Sequence, residues 1–149
     1  MAITTLNKED FRKLQTLQNM VMRLQTGLAR GTKTEYLLQQ SGQLSVHQLG
    51  SYFLMLQVHK TKLSKQPNYL YNRIFPGGNI EEEEARFMRS LTQEQINFNC
   101  ELSLSRSSFI YRASKLYNAL PMTIKNDKSI PTFKANVKKW IKENINIRP

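Results

Sequence analysis

The chain has 149 residues, with 22 Lys and Arg against 11 Asp and Glu and a formal net charge of +11 at pH 7. Hydrophobic residues make up 40% of it, which argues against wholesale disorder and predicts one small basic domain whose natural partners are polyanions such as nucleic acid. Cys100 is the single cysteine and no apolar run approaches the roughly 20 residues of a membrane span, so we expect no internal disulfide, no membrane association, and a cytoplasmic or nuclear location.

The charge is distributed unevenly along the chain. Residues 1–79 hold 10 basic and 3 acidic side chains, residues 80–100 hold 2 and 5, and residues 101–149 hold 10 and 3. A turn-forming sequence at 75–79, Phe-Pro-Gly-Gly-Asn, precedes the acidic stretch and predicts a boundary. The expected segments, within one compact domain, are an amino-terminal three-helix arm over 1–75, an acidic hinge over 76–100, and a basic carboxy-terminal helical pair over 101–149.

The first predicted helix is long and amphipathic. It begins after Asn7, a suitable N-cap, and ends before Gly31. Its apolar residues recur every three or four positions, at Phe11, Leu14, Leu17, Val21, Leu24 and Leu28. The joins to the next two helices are short, so we expect the three to pack as neighbours.

Two capping-box patterns predict the starts of the second and third helices. Thr32 and Glu35 have the required spacing before the second helix, which Gly42 is placed to end. Ser45 and Gln48 repeat the pattern before the third helix. The third helix runs to about residue 60, and its apolar face is Val46, Leu49, Phe53 and Leu56.

The middle of the chain gives weaker patterns. Pro67 suits the first turn of a short helix over 68–74, and residues 81–91 also favour a helix. Residues 96–104 alternate apolar and polar side chains, which is typical of a strand. The expected fold is therefore mainly α, a small bundle of about five to six helices, with one short strand or hairpin near 96–104 left open.

Two further helices are predicted near the carboxyl end. Helical spacing returns over 109–120, and Pro121 closes that helix because proline disfavours helical geometry in the preceding residue. Ser129 is suited to cap the final helix, with Pro131 in its first turn. The expected buried face of the final helix is Phe133, Val137, Trp140 and Ile141.

Basic and aromatic side chains on these two helices are the candidate nucleic-acid contacts. On the final helix, lysines spaced i, i+4 and i+8 with a fourth nearby form a ridge that can follow phosphates, although a solvated face is the simpler interpretation. On the preceding helix, aromatic rings beside cations can stack on unpaired bases, although such rings are more often core. The candidates are Tyr111, Arg112, Lys115, Tyr117, Lys134, Lys138, Lys139 and Lys142.

The sequence lacks the residue patterns of catalytic and metal sites. Asp10 and Asp127 are the two aspartates of the chain, so the paired aspartates of a two-metal polymerase or nuclease have no candidates. His47 and His59 lack zinc-ligand spacing, and the acidic run over 81–84 is typical of a solvated linker or a helix start. We therefore expect no enzyme activity, no metal and no cofactor.

The same carboxy-terminal residues carry a family resemblance. The residues that carry it are Ser108, Phe109, Tyr111, Arg112, Leu116, Tyr117, Asn118, Leu120, Pro121, Ile124, Ser129, Phe133, Lys134, Lys138 and Trp140, and upstream the run from Leu14 to Asn19, Arg23, Thr34, Glu35, Leu37, Leu38, Gly42 and Leu44 to Val46. The carboxy-terminal set resembles the extreme carboxyl end of reverse transcriptases from non-LTR retrotransposons of the jockey and chicken-repeat type, and the upstream set resembles the helical region that follows the polymerase thumb. The resemblance implies a helical accessory region that grips template RNA or target DNA, without the palm aspartates or an endonuclease domain.

Two functions follow as hypotheses. The first is a non-catalytic module that binds RNA or single-stranded DNA through basic helices. The alternative is a protein-interaction or homo-oligomerisation module, in which the long first helix or the stripe over 46–56 is an interface.

Overall fold

A computed structural model describes residues 8–75 and 109–146. Helices hold 77% of these residues and no strand occurs among them, which confirms the predicted mainly α fold. The helices are α1 (Lys8–Thr26), α2 (Thr34–Ser41), α3 (Val46–Ser64), α4 (Asn68–Ile74), α5 (Phe109–Asn118), α6 (Met122–Lys125) and α7 (Ile130–Asn144). The helix predicted over 81–91, the strand over 96–104 and the hinge over 76–100 lie outside the described residues.

The chain divides into two compact units. The terminal unit comprises Met1–Tyr52 and Lys138–Pro149, and the central unit comprises Phe53–Val137. Within the described ranges, every helix falls short of the combined length and apolar content that crossing a bilayer requires.

In the terminal unit, α1 docks through its polar face. Its amide side chains and Arg23 form hydrogen bonds with the backbone and side chains of the segments that follow. Met22 is the fully buried residue of α1. The bonds are Gln18 Nε2 to Leu44 O at 2.7 Å, Val46 N to Gln15 Oε1 at 3.0 Å, Asn19 Nδ2 to Thr34 Oγ1 at 2.8 Å, and Arg23 Nη2 to Thr32 O at 3.2 Å. The helix is therefore held mainly by hydrogen bonds.

The apolar face of α1 points away from the residues that hold it. Leu14, Leu17, Val21 and Leu24 are 37%, 58%, 52% and 80% exposed. An apolar stripe normally predicts the face that meets the core. Here the stripe is outside because the backbone at Leu44 and Val46 requires hydrogen-bonding partners, which only the polar face supplies.

The second helix ends as predicted and starts differently. Gly42 has φ 65°, the left-handed conformation of a helix C-cap, and its N–H bonds to Gln39 O. The predicted box of Thr32 with Glu35 does not form, since Lys33 takes the N-cap position with no side-chain cap. The Thr32 hydroxyl instead donates to Ala29 O at 2.8 Å and closes the preceding turn.

The predicted capping box at the start of α3 is confirmed. Ser45 N donates to Gln48 Oε1 at 3.1 Å, and Gln48 N donates to Ser45 Oγ at 3.2 Å. Gln48 is 4% exposed, and its Nε2 also donates to Ile145 O at 2.8 Å. One buried side chain thus closes the start of α3 and holds the carboxyl-terminal end of the chain in the same unit.

In the central unit, α3 is buried around much of its circumference. Leu54, Met55 and Val58 are buried although they lie off the predicted stripe, and Phe53, which the pattern placed on it, is 53% exposed. The short helix α4 has the predicted bounds and packs against α5.

Replacing Gln48 tests whether its side chain stabilises the start of α3 and the carboxyl-terminal end of the chain. Gln48→Ala removes the hydrogen bonds that the Gln48 side chain makes with Ser45 N and Ile145 O, so we expect the free energy of unfolding to fall by about 1–3 kcal/mol. The measurement is urea denaturation followed by circular dichroism. The matched control is Gln40→Ala, at an exposed position of α2, where a change within about 0.5 kcal/mol is expected; equal losses in both variants would contradict the assignment.

Candidate nucleic-acid interface

Helix α5 separates its buried and exposed side chains cleanly. Ile110, Ala113 and Tyr117 are 9%, 0% and 1% exposed, and their spacing places them on one face. Arg112 and Lys115 are exposed. These two cations are three residues apart, so they are neighbours on the helix surface, with about 5–6 Å between Cβ atoms.

The two tyrosines of α5 differ in accessibility. Tyr111 is half-buried and keeps part of its ring at the surface. Tyr117 is 1% exposed, so its ring offers no face to a base. The structure supports its interpretation as a core residue, and we remove Tyr117 from the candidate contacts.

Tyr117 belongs to a buried aromatic cluster centred on His59. The His59 ring stacks on Phe133 with centroids 3.6 Å apart and an interplanar angle of 1°. His59 Nε2 lies 2.9 Å from Asp127 O, and since a carbonyl only accepts, Nε2 carries the proton. In a neutral ring, His59 Nδ1, which lies 3.4 Å from the Tyr117 hydroxyl, is then the acceptor. Because His59 is on α3, this cluster joins α3, α5 and α7 within the central unit.

A buried lysine completes this scaffold. Lys125 is 4% exposed, and its Nζ donates to Asn118 O at 3.1 Å. The same Nζ lies 5.9 Å from the centroid of the Tyr117 ring. A cation at the last carbonyls of a helix satisfies an otherwise unpaired acceptor and opposes the negative end of the helix dipole. Lys125 is therefore part of the fold, which the sequence pattern did not indicate.

The final helix α7 buries the predicted face. Phe133, Val137 and Ile141 are each 0% exposed, and Trp140 is half-buried. All four predicted lysines are exposed: Lys134 in the central unit, and Lys138, Lys139 and Lys142 in the terminal unit. Lys142 Nζ donates to Gly42 O at 3.0 Å, so this lysine is partly engaged in the fold.

The described residues of the central unit carry a large excess of positive charge. Its described residues, 53–75 and 109–137, include nine Lys and Arg and one carboxylate, Asp127. Asp127 Oδ2 accepts a hydrogen bond from Asn136 Nδ2 at 2.9 Å. Arg112, Lys115 and Lys134 are exposed and form no ion pair with any carboxylate of the described residues.

The described part of the terminal unit is less one-sided. It has nine Lys and Arg against four carboxylates, and Lys13 Nζ pairs with Glu9 Oε1 at 3.2 Å. Over the residues that the structure describes, no three His, Cys, Asp or Glu side chains are grouped as metal ligands. His47 lies instead against Phe11, with its Nδ1 3.3 Å from Asn146 O.

Tyr69 is a surface aromatic that the sequence pattern did not single out. It lies on α4, which packs against α5, and it is 75% exposed. Leu70 and Ile74 turn α4 inward, at 9% and 1% exposure. Leu70 and Ile74 are four residues apart and therefore share one face of α4. This spacing is the signal in the sequence from which the exposed position of Tyr69 could have been predicted.

Comparison with protein-family models, with curated proteins and with solved structures gives no match to this chain. The resemblance to retroelement reverse transcriptases therefore stays a hypothesis, and any function has to be argued from the charge and geometry of the described residues.

Two lysine substitutions compare the contribution of a buried lysine to stability with that of an exposed one. Lys125→Met removes the hydrogen bond that Nζ donates to Asn118 O, and we expect the free energy of unfolding to fall by about 1–3 kcal/mol. Lys115→Met removes the same charge from an exposed position of α5, and a change within about 0.5 kcal/mol is expected. Thermal and urea denaturation measure both. A stable Lys125→Met protein would contradict the structural role of this lysine.

Proposed function

We propose that this protein is a non-catalytic module that binds RNA or single-stranded DNA through its phosphates, with little dependence on base sequence. The observation that carries the proposal is the charge of the central unit, where nine basic residues accompany a single carboxylate in the described residues. Surface charge of one sign attracts polyanions and releases their condensed counterions when phosphates are neutralised.

Arg112, Lys115 and Lys134 are the proposed phosphate contacts of the central unit. All three are exposed and lie on helices, so their backbone positions are set by the aromatic cluster around His59 and do not need ordering when the ligand binds. Arg112 offers a planar fork of donors that matches a phosphate, whereas lysines act as point charges.

In the terminal unit, Lys138 and Lys139 are the stronger proposed contacts. Both are exposed and neither forms an ion pair with a described carboxylate. Lys142 contributes less, because engaging a phosphate competes with its hydrogen bond to Gly42 O.

Surface tyrosines supply the preference for unpaired strands. Tyr111 is half-buried beside Arg112, and Tyr69 is 75% exposed on the neighbouring helix α4. Bases in a duplex are already stacked on each other, so an exposed ring favours single strands.

The resemblance to the region beyond the thumb of non-LTR reverse transcriptases agrees with this proposal. In that context the chain is an accessory that grips template RNA or target DNA while the polymerase chemistry resides elsewhere. The proposal depends on the charge distribution and stands without the resemblance.

The salt dependence of binding tests the proposed phosphate contacts. Arg112, Lys115 and Lys134 are changed together to Ala, and affinity for a fluorescent single-stranded RNA is measured by anisotropy from low to high salt. Each lost contact lowers the slope of log K against log salt by about 0.7, so we expect a decrease of about 2.

The control removes the same charge from the terminal unit, by changing the exposed Lys8, Arg12 and Arg30 to Ala. Its slope should stay near that of the unmodified protein. Equal decreases in both variants would assign binding to net charge alone, and binding that is insensitive to salt would contradict the proposal.

Tyr69 tests the stacking contribution. Tyr69→Ala should weaken binding of single-stranded RNA by about 1–3 kcal/mol, the usual cost of losing one stacked base. Tyr69→Phe keeps the ring and should bind like the unmodified protein. If Tyr69→Ala binds single strands unchanged, the ring does not stack on a base.

A further inference from the structure

The outer face of α1 carries an exposed apolar seam. We define the α1 seam as Leu14, Leu17, Val21 and Leu24, which are 37%, 58%, 52% and 80% exposed. Their separations are three, four and three residues. This is the a and d spacing of a heptad repeat, the pattern that keeps one apolar line in contact with a second helix along its length.

The packing of the described residues leaves the seam open. The hydrogen bonds of Gln15 and Asn19, and the burial of Met22, hold the opposite face of α1. The next seam position, Leu28, lies beyond the end of α1 and packs against the buried Met22, Leu37 and Leu38 cluster. The seam therefore ends at Leu24, and no described segment covers it.

We propose that the α1 seam is the contact between two copies of this chain, with their α1 helices antiparallel. In this register Leu14 of one copy packs against Leu24 of the other, and Leu17 packs against Val21. A twofold axis repeats each of these layers, so every exposed residue of the seam is used. A closed dimer results, because the same face is used by both copies.

The charges around the seam favour a second copy as the occupant. A chain with a net charge of +11 repels its own copies unless they meet along a neutral surface. Between positions 14 and 25 the one charged residue is Arg23, which is directed to Thr32 O. The flanking positions Gln18, Met20 and Gln25 are uncharged, so two copies meet there without like-charge contact.

Helix orientation and rigidity also favour this pairing. Antiparallel helices place the positive end of each dipole beside the negative end of the other. A short seam is usually insufficient for an isolated helix pair, because helix formation itself has to be driven by the contact. Here α1 is already held by side-chain hydrogen bonds to Leu44, Val46 and Thr34, so less conformational freedom is lost on association.

Sedimentation equilibrium of the full chain across a concentration range tests the dimer. We expect the unmodified protein to dimerise, and Leu17→Glu or Val21→Glu to raise the dimer dissociation constant about tenfold or more, because each removes two buried apolar side chains per dimer. The control is Met122→Glu, at a residue 41% exposed in the central unit, which should dimerise normally. A monomer at all concentrations, or seam variants that dimerise like the control, would overturn the proposal.

Mixing two variants tests the antiparallel register. Leu17→Glu and Val21→Lys should each dimerise poorly alone. In the antiparallel pair a mixture restores one apolar layer and opposes Glu to Lys in the other, so heterodimers should form. A parallel pair brings like positions together and gives no recovery on mixing, which would overturn the register. Circular dichroism and denaturation midpoints near those of the unmodified protein confirm that each exposed substitution leaves the fold intact.

This inference is independent of the proposed nucleic-acid binding. Changing Leu17 and Val21 together to Ala also weakens the seam and leaves every charged residue in place, so the RNA affinity of that variant, measured below the dimer dissociation constant, should match that of the unmodified protein. Failure to dimerise would contradict the α1 seam proposal and leave the nucleic-acid proposal standing. Failure to bind RNA would do the reverse.

Discussion

The packing of the terminal unit depends on the hydrogen bonds made at the start of α3. A chain that enters a helix leaves backbone N–H and C=O groups that the helix cannot satisfy, and burial makes each of them costly to leave unpaired. At 44–48 these groups are satisfied by side chains: Gln15 and Gln18 from α1, and the Ser45 and Gln48 pair within the segment itself. Gln48 extends the same network to Ile145 O.

This one requirement decides the orientation of α1. Amide side chains satisfy the backbone at Leu44 and Val46, so the face that carries them turns inward. The opposite face then points to solvent, although it holds all three leucines of the helix. The polar docking face and the exposed α1 seam are therefore two consequences of the same hydrogen bonds.

In the central unit, aromatic packing sets the positions of the helices, and most of the charged side chains stay at the surface. The stack of His59 on Phe133 and the proximity of Tyr117 tie three helices together, and Lys125 is used up as a cap for α5. Arg112, Lys115 and Lys134 are exposed on helices that this packing holds in place. A rigid surface with a single described carboxylate is well suited to a flexible polyanion, since little of the binding free energy is lost to ordering the protein.

The sequence by itself determined the elements whose causes are local. The bounds of α4, the Ser45 and Gln48 box, the Gly42 cap and the buried Phe133, Val137 and Ile141 of α7 were predicted, because caps and periodicity act over a few residues. Two helix ends were not: α1 ends at Thr26, before Gly27 with φ 69°, where the prediction was Gly31, and α3 continues to Ser64, past the predicted residue 60. The tertiary structure decided which face of each helix is covered. It buried Tyr117 and Lys125, used Thr32 to close a turn in place of a cap, exposed Tyr69, and turned the leucines of α1 outward. These outcomes depend on which backbone groups and rings lie across the unit, and periodicity within one helix contains no information about its neighbours.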